Sequence, residues 1–143
     1  MPKNIQHTLF FPYPPEIVWE YLTTAELIAQ WLMPNDFKPI VGYNFQFKVN
    51  PMPALQFDGN VYCKVVEIVP HKKLSYSWKC GPGNGEMTVD SLVEWTLVRK
   101  DNGTELHIDH SGFNELKNLD IYAAMDHGWL ANMKKIGERL KAA

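Results

Sequence analysis

The stretch DIYAAMDHGWLANMKKIGERLKAA, residues 120–143, has the spacing of a long amphipathic helix. Its apolar side chains recur at steps of three or four residues, which places them on one helical face. These side chains are Tyr122, Met125, Trp129, Met133, Ile136 and Leu140. Asn118 is a suitable N-cap, and charged residues fill most of the opposite face in the later turns. A helix of this length extends about 35 Å, so we expect a sheet of matching width to cover its apolar face.

Small residues form a second line along this helix. Ala124, Gly128 and Ala131 follow one another at steps of four and three residues. A glycine inside a helix costs about 1 kcal/mol relative to alanine, so the line calls for an explanation. Two interpretations stay open: close packing against a neighbouring element, or space for a ligand or a partner helix beside Trp129.

The residues before the long helix have the pattern of an antiparallel sheet. Alternating apolar and polar residues, separated by turn residues, predict the strands. These cover residues 5–11, 43–50, 56–69, 74–80, 87–100 and 104–111, with a bulge expected at Gly59. Short helices are predicted over residues 16–22 and 25–32. The sequence therefore predicts an α+β fold, with a curved antiparallel sheet of about six to seven strands wrapped around a long C-terminal helix and two short helices after the first strand.

Length and composition indicate a single domain over residues 1–143. The net charge is −2, with both signs mixed along the chain, which argues against a nucleic-acid surface. No apolar run approaches the ~20 residues of a membrane span, and no signal peptide is evident, so we expect a cytoplasmic protein without membrane insertion. Cys63 and Cys80 lack metal-ligand spacing and are expected to be reduced.

Six short motifs occur in an order and spacing that resemble a known family. They are PPEIVW at 14–19, WLMP at 31–34, LSYSW at 74–78, GTEL at 103–106, HSGF at 110–113 and GW at 128–129. Together they resemble the helix-grip fold of the START and Bet v 1 (SRPBCC) superfamily. The finer resemblance is to the branch similar to the C-terminal domain of the Hsp90 ATPase activator Aha1, and it covers nearly the whole chain.

This resemblance implies a pocket between the sheet and the long helix that holds a small hydrophobic or amphipathic molecule. Superfamily members include lipid carriers, polyketide cyclases, antibiotic-resistance proteins and chaperone partners, so the fold alone does not choose a function. The activator also has a separate N-terminal domain that carries much of its chaperone contact, and we expect this chain to lack one. A co-chaperone role is therefore the weaker expectation.

Residues with the potential for catalysis are few. His110 shares the strand parity of Leu106 and Ile108, which turns it towards the covered face. It is interpreted as a core histidine held by a hydroxyl or a backbone carbonyl, as a polar anchor at the pocket wall, or as a general base. His107 and Asp109 lie on the opposite face without a third ligand for a metal. No catalytic residue, metal or cofactor is assigned.

Aromatic residues are abundant, with five Trp, six Tyr and seven Phe. They either fill the core or line a ligand cavity, and the sequence leaves both interpretations open. The predicted ligand-binding residues are Trp31, Phe45, Tyr76, Trp78, Trp95, His110, Tyr122, Met125 and Trp129. His110 and Tyr76 are expected to orient the ligand.

Three functions are compatible with these observations. The first is binding of a small hydrophobic, aromatic or lipid-like molecule, as a carrier or sensor. The second is a chaperone-associated or stress-response interaction protein, supported by the apolar loop 51–55 and the line of small residues. A homodimer is a further partner hypothesis. The third is an enzyme of the cyclase or hydrolase type, for which the sequence offers no clear acid–base pair.

Overall fold

The computed structural model describes residues 3–113 and 116–143. Along this part of the chain, one strand is followed by two short helices, five more strands and a long helix. The strands are β1 (Ile5–Phe11), β2 (Asn44–Lys48), β3 (Asn60–Val69), β4 (Lys73–Cys80), β5 (Val89–Lys100) and β6 (Gly103–Ser111). The helices are α1 (Pro15–Thr23), α2 (Ala25–Trp31) and α3 (Leu119–Ala142), and a short 3₁₀ turn lies at Pro53–Leu55.

The strands form one antiparallel sheet in the order β1-β6-β5-β4-β3-β2. Lys100 pairs directly with Gly103, so Asp101 and Asn102 form a two-residue hairpin loop. β1 pairs with β6 rather than with β2, so α1, α2 and the loop after them carry the chain from one sheet edge to the other. The predicted α+β fold, with a curved antiparallel sheet around a long C-terminal helix, is confirmed, with six strands among the described residues.

α3 places most of its predicted apolar stripe against the sheet. Asn118 caps the helix, because its Oδ1 accepts a hydrogen bond of 3.1 Å from the backbone N–H of Ile121. The buried residues of α3 are Ile121, Trp129, Met133, Ile136 and Leu140. Tyr122 and Met125, also in the predicted stripe, are only partly buried. The first turns of α3 are therefore covered less completely than the later ones.

The strand β3 departs from the predicted alternation for a geometric reason. Its pairing register with β4 shifts between Val65 and Glu67, and such a bulge reverses the side-chain faces beyond it. The sequence did not predict this bulge, and the one suggested at Gly59, before the start of β3, stays a prediction. Gly59 precedes β3 with a φ of +91°, and a Cβ at that position would collide with the carbonyl oxygen of Val49. Glycine is required there by positive φ and by close backbone approach.

The two short helices join the sheet to α3. α1 packs against β5 and β6, while α2 packs against α1 and α3. The indole N–H of Trp31 donates to the carbonyl oxygen of Tyr21 across 2.8 Å, which fixes the two helices to each other. The two short helices therefore lie between the sheet and the long helix. Within residues 3–113 and 116–143, none of the helices combines the length and apolarity that a bilayer crossing requires.

Candidate functional site

A hydrogen-bonded chain connects α3 with three strands in the core. Trp129 of α3 donates its indole N–H to Nδ1 of His110 on β6 across 2.9 Å. The other ring nitrogen of His110, Nε2, lies 2.7 Å from the hydroxyl oxygen of Ser91 on β5. That hydroxyl donates in turn to the carbonyl oxygen of Trp78 on β4 across 2.8 Å. An indole nitrogen can only donate, so Nδ1 must accept and the proton of the neutral imidazole resides on Nε2.

This chain keeps His110 neutral. The side chain is 0% exposed, and desolvation lowers the pKa of His110 from 6.5 to about 3. A proton on Nδ1 would also break the hydrogen bond from Trp129. Of the interpretations made from the sequence, the structure matches a core histidine held by a hydroxyl. Its use as a general base would require both hydrogen bonds to be rearranged.

The aromatic core is built around Trp129 and Trp95. Their ring centroids lie 5.5 Å apart in an edge-to-face arrangement. Trp31 packs edge-on against Trp95 at 5.7 Å, and Phe45 packs against Tyr76 at 5.3 Å. The Trp95 indole N–H donates to the Tyr76 hydroxyl oxygen across 3.0 Å, and burial raises the pKa of Tyr76 above its usual range. These rings fill the space behind Trp129.

An apolar cavity of about 250 Å³ lies beside this core, between the first half of α3, the end of α2 and strands β3 and β4. Its floor consists of the buried residues Phe57, Val61, Trp78, Cys80, Ile121 and Trp129. Its rim consists of the less buried residues Leu32, Met33, Val49, Met52, Leu55, Ala124, Met125, Gly128 and Asn132. The cavity is near the lower end of the volumes typical of small-molecule sites.

The structure separates the nine predicted site residues into three groups. Trp78, Met125 and Trp129 line the cavity. The buried core residues that do not line it are Trp31, Phe45, Tyr76, Trp95 and His110. Tyr122 is partly buried, with its hydroxyl donating to the Lys3 carbonyl oxygen across 2.7 Å. Ligand contact by any of the nine stays a prediction.

The line of small residues explains why there is space beside Trp129. Ala124 and Gly128 are both on the cavity rim, whereas Ala131 is not among the lining residues. A Cβ built on Gly128 would meet no atom within 4 Å. Close packing at Gly128 is therefore the wrong interpretation of the two, because the missing side chain leaves open space instead of admitting a neighbour.

Sequence reasoning missed several cavity residues because they lie on irregular segments. Met52, Leu55 and Phe57 belong to the segment around the 3₁₀ turn. The sequence marked residues 51–55 only as an apolar loop, and it placed Phe57 in a strand that the structure begins only at Asn60. Asn118 holds this loop against α3, since its Nδ2 donates to the Leu55 carbonyl oxygen across 2.8 Å. The apolar content of the loop was the available signal, but its position over the cavity was not visible in the sequence.

Metal chemistry finds no support in the side-chain arrangement of residues 3–113 and 116–143. No three His, Cys, Asp or Glu side chains in this part of the chain come together as ligands of one ion. His107 lies 2.8 Å from Glu105 and 2.9 Å from the Thr8 hydroxyl, on the face of the sheet away from the cavity. These contacts give it an ordinary surface role.

The geometry defines a class of protein: a helix-grip α+β fold with an apolar cavity between its sheet and its C-terminal helix. The family model described as Activator of Hsp90 ATPase homolog 1-like protein matches residues 12–141, and the chain belongs to that family. The resemblance inferred from the sequence motifs is thereby confirmed.

Solved structures extend this comparison. Protein MLL2253 from Mesorhizobium loti is 30% identical and superposes with a TM-score of 0.85 over 99% of this chain and 98% of that chain. Protein BH1534 from Bacillus halodurans is 25% identical, with a TM-score of 0.74 over 96% of both chains. The Aha1 dimer from Colwellia psychrerythraea is 22% identical, with a TM-score of 0.68 over 95% of this chain and 98% of that chain, which shows the fold alone. No curated protein matches the chain significantly.

Proposed function

We propose that this protein binds a small hydrophobic molecule in the cavity between the sheet and α3, as a carrier or sensor. The observation that carries the proposal is the cavity of about 250 Å³ beside Gly128, where an added Cβ would meet no atom within 4 Å. None of its fifteen lining residues carries a charge. Apolar surface placed in this cavity leaves water and meets almost only apolar side chains.

The expected affinity follows from the apolar surface area that such a ligand buries in the cavity. A ligand that buries ~250 Å² of apolar surface gains about 6 kcal/mol at ~25 cal/mol per Å². Losses of translational and rotational freedom reduce this figure, so we expect dissociation constants weaker than ~1 µM. An affinity in that range suits a molecule that must be taken up and released again.

The aromatic core gives the cavity a rigid wall. The rings of Trp78 and Trp129 lie 5.0 Å apart at the floor, so both offer flat surfaces to a ligand. Hydrogen bonds through His110 and Ser91 connect α3, which carries Trp129, with β4, which carries Trp78. The wall is supported from behind by the buried side chains of Trp31, Phe45, Tyr76 and Trp95. Tyr122 lies at its end, and Met125 forms part of the rim.

Ligand binding is tested by a variant that fills the cavity without touching the core. Gly128→Leu places a branched side chain in the open space that a Cβ would not fill. Ala123→Leu is the matched control, because Ala123 is exposed on the same helix and does not line the cavity. The probes are 2-acetylnaphthalene and 1-decanol, each titrated against tryptophan fluorescence.

The proposal predicts a saturable fluorescence change with at least one probe for the wild type and for Ala123→Leu. Gly128→Leu should bind that probe at least about tenfold more weakly, while its circular dichroism stays native. Equal binding by Gly128→Leu would place the ligand elsewhere. A wild type that responds to neither probe would refute ligand binding at this cavity.

Self-association is a second candidate, favoured by an exposed apolar patch. Ile40, Val41 and Val66 are 56%, 60% and 51% exposed. The backbone N–H of Gly42 donates to the Val65 carbonyl oxygen, which brings Ile40 and Val41 close to Val66 near the β2 edge. The related Aha1 protein from Colwellia psychrerythraea forms a dimer. Exposed apolar patches are typical of protein interfaces.

Light scattering after size-exclusion chromatography tests this second candidate. A dimer that Val41→Lys converts to a monomer would support it, with Lys38→Glu, three residues away, as the charge-change control. A monomer at all accessible concentrations would refute it. The chaperone-partner and enzyme hypotheses stay predictions, because the family description and the fold alone support them.

A further inference from the structure

The indole N–H of Trp78 has no hydrogen-bond partner among the described residues, although less than 1 Å² of its nitrogen is exposed. Three other core indoles are satisfied: Trp31 by Tyr21, Trp95 by Tyr76 and Trp129 by His110. A buried donor without an acceptor is unusual and costs free energy. Trp78 is also a residue of the cavity floor.

The cavity offers nothing that would compensate a charge. Apart from the indoles, its polar side chains are the Asn132 amide and the Cys80 thiol. Burial raises the pKa of Cys80 to about 12, so this thiol stays neutral at physiological pH. A carboxylate or an ammonium group in this position would lose its hydration without gaining a partner.

The cavity volume limits the size of the buried part of a ligand. A cavity of 150 Å³ lined by apolar side chains holds benzene. At about 250 Å³, this one has room for roughly two fused rings, and its rim permits a tail to extend towards solvent. The flexible thioethers of Met33, Met52 and Met125 on the rim can adjust to the outline of such rings.

We infer that the cavity takes an uncharged molecule of one or two rings whose carbonyl oxygen accepts a hydrogen bond from the indole N–H of Trp78. This inference rests on the proposed function and narrows it to a chemical class. The carbonyl satisfies the donor that the protein leaves unpaired, and the rings pack on Trp78 and Trp129. Because less than 1 Å² of this nitrogen is exposed, the inference requires a neighbouring side chain to move aside when the carbonyl binds.

Three naphthalenes of nearly equal size test the inference. 2-Acetylnaphthalene carries a carbonyl, 2-isopropenylnaphthalene replaces it by an alkene, and 2-naphthoate carries a negative charge. All three are titrated into the wild type and into Trp78→Phe, which retains a ring but loses the N–H. Binding is followed by tryptophan fluorescence and by the indole N–H signals in ¹⁵N-correlated NMR spectra.

The wild type should bind the ketone about tenfold more tightly than the alkene, and the naphthoate at least about a hundredfold more weakly than the ketone. In Trp78→Phe the ratio between ketone and alkene should fall to near one. The ketone should move the Trp78 indole signal downfield, while the Trp31 signal stays in place.

The other outcomes contradict the inference, and they show whether hydrophobic binding fails with it. Equal binding of ketone and alkene, or tightest binding of the naphthoate, overturns the carbonyl assignment and leaves hydrophobic binding intact. The same holds if 1-decanol binds and no naphthalene does. If none of these compounds binds, the proposed function fails together with the inference.

Discussion

Trp129 donates its indole N–H to Nδ1 of His110 across 2.9 Å, and this hydrogen bond joins the long helix to the last strand inside the aromatic core. Because the indole cannot accept, the bond selects one neutral tautomer of His110. It also holds the Trp129 ring at the floor of the cavity. The position of the cavity wall therefore depends on a polar contact as well as on apolar packing.

The first prediction concerns the pH dependence of stability. His110 has a pKa of about 3 in the folded state against an ordinary 6.5, so the unfolded chain binds a proton between these values and the folded chain does not. The stabilisation that the neutral His110 adds to the free energy of unfolding is fully present above pH 6.5 and declines as the pH falls towards 3. Lowering the pH from about 7 to about 5 should cost ~2 kcal/mol through this residue.

The control for this prediction is His110→Gln, which cannot titrate. Chemical denaturation at several pH values should show the wild type losing ~2 kcal/mol more than the variant over that interval. The carboxylates titrate in both proteins and cancel in the difference. Parallel pH profiles would contradict a neutral, buried His110.

The second prediction compares two buried tryptophans. Trp129→Phe removes the donor to His110 and leaves a buried acceptor unpaired. This should lower the free energy of unfolding by ~1–3 kcal/mol in addition to the cost of the lost ring volume. Trp78→Phe removes a similar volume but no hydrogen bond. Urea denaturation should therefore show Trp129→Phe to be less stable than Trp78→Phe by at least ~1 kcal/mol, and the reverse order would refute the assignment of the bond.

The third prediction concerns the two glycines inside α3. At Gly128 a Cβ would meet nothing within 4 Å, so Gly128→Ala should raise the free energy of unfolding by up to ~1 kcal/mol through helix propensity. At Gly137 a Cβ would lie 3.1 Å from a ring carbon of the buried Phe11. Gly137→Ala should gain less or destabilise the protein. Thermal unfolding measures both, and an equal gain would show that space around the two sites does not differ.

The fourth prediction concerns the loop over the cavity. Asn118 both caps α3 and bonds the Leu55 carbonyl oxygen, so Asn118→Ala removes two contacts at once. The loss of the cap should cost ~1 kcal/mol. Hydrogen exchange should quicken at the Ile121 amide and at Leu55, whose amide bonds Met52 within the same loop. If only Ile121 responded, the loop would be held by its apolar contacts instead.

Much of this fold could be predicted from residue spacing. Steps of three and four placed Trp129, Met133 and Ile136 on the buried face of α3, where the structure has them. Alternation predicted the strands, and it failed in β3 because the bulge between Val65 and Glu67 reverses the faces. Periodicity describes the direction of side chains only while the backbone stays regular.

The site could be predicted only in part. Trp78, Met125 and Trp129 line the cavity, whereas Trp95 and His110 lie behind its floor. Spacing indicates which face a residue lies on, but it does not give the volume left between packed rings. The hydrogen bond from Trp129 to His110 joins α3 and β6, whose relative position is set by tertiary packing, so no local sequence pattern predicted it.

The most direct test of ligand binding is a ¹⁵N-correlated NMR titration of the wild type with 2-acetylnaphthalene, observing the Gly128 and Gly137 amides. Both glycines lie on α3, but only Gly128 lines the cavity. We expect saturable shifts at Gly128, Met125 and Trp129, while the Gly137 signal stays in place. An unmoved Gly128 at saturating ketone, or shifts confined to residues outside the cavity, would contradict it.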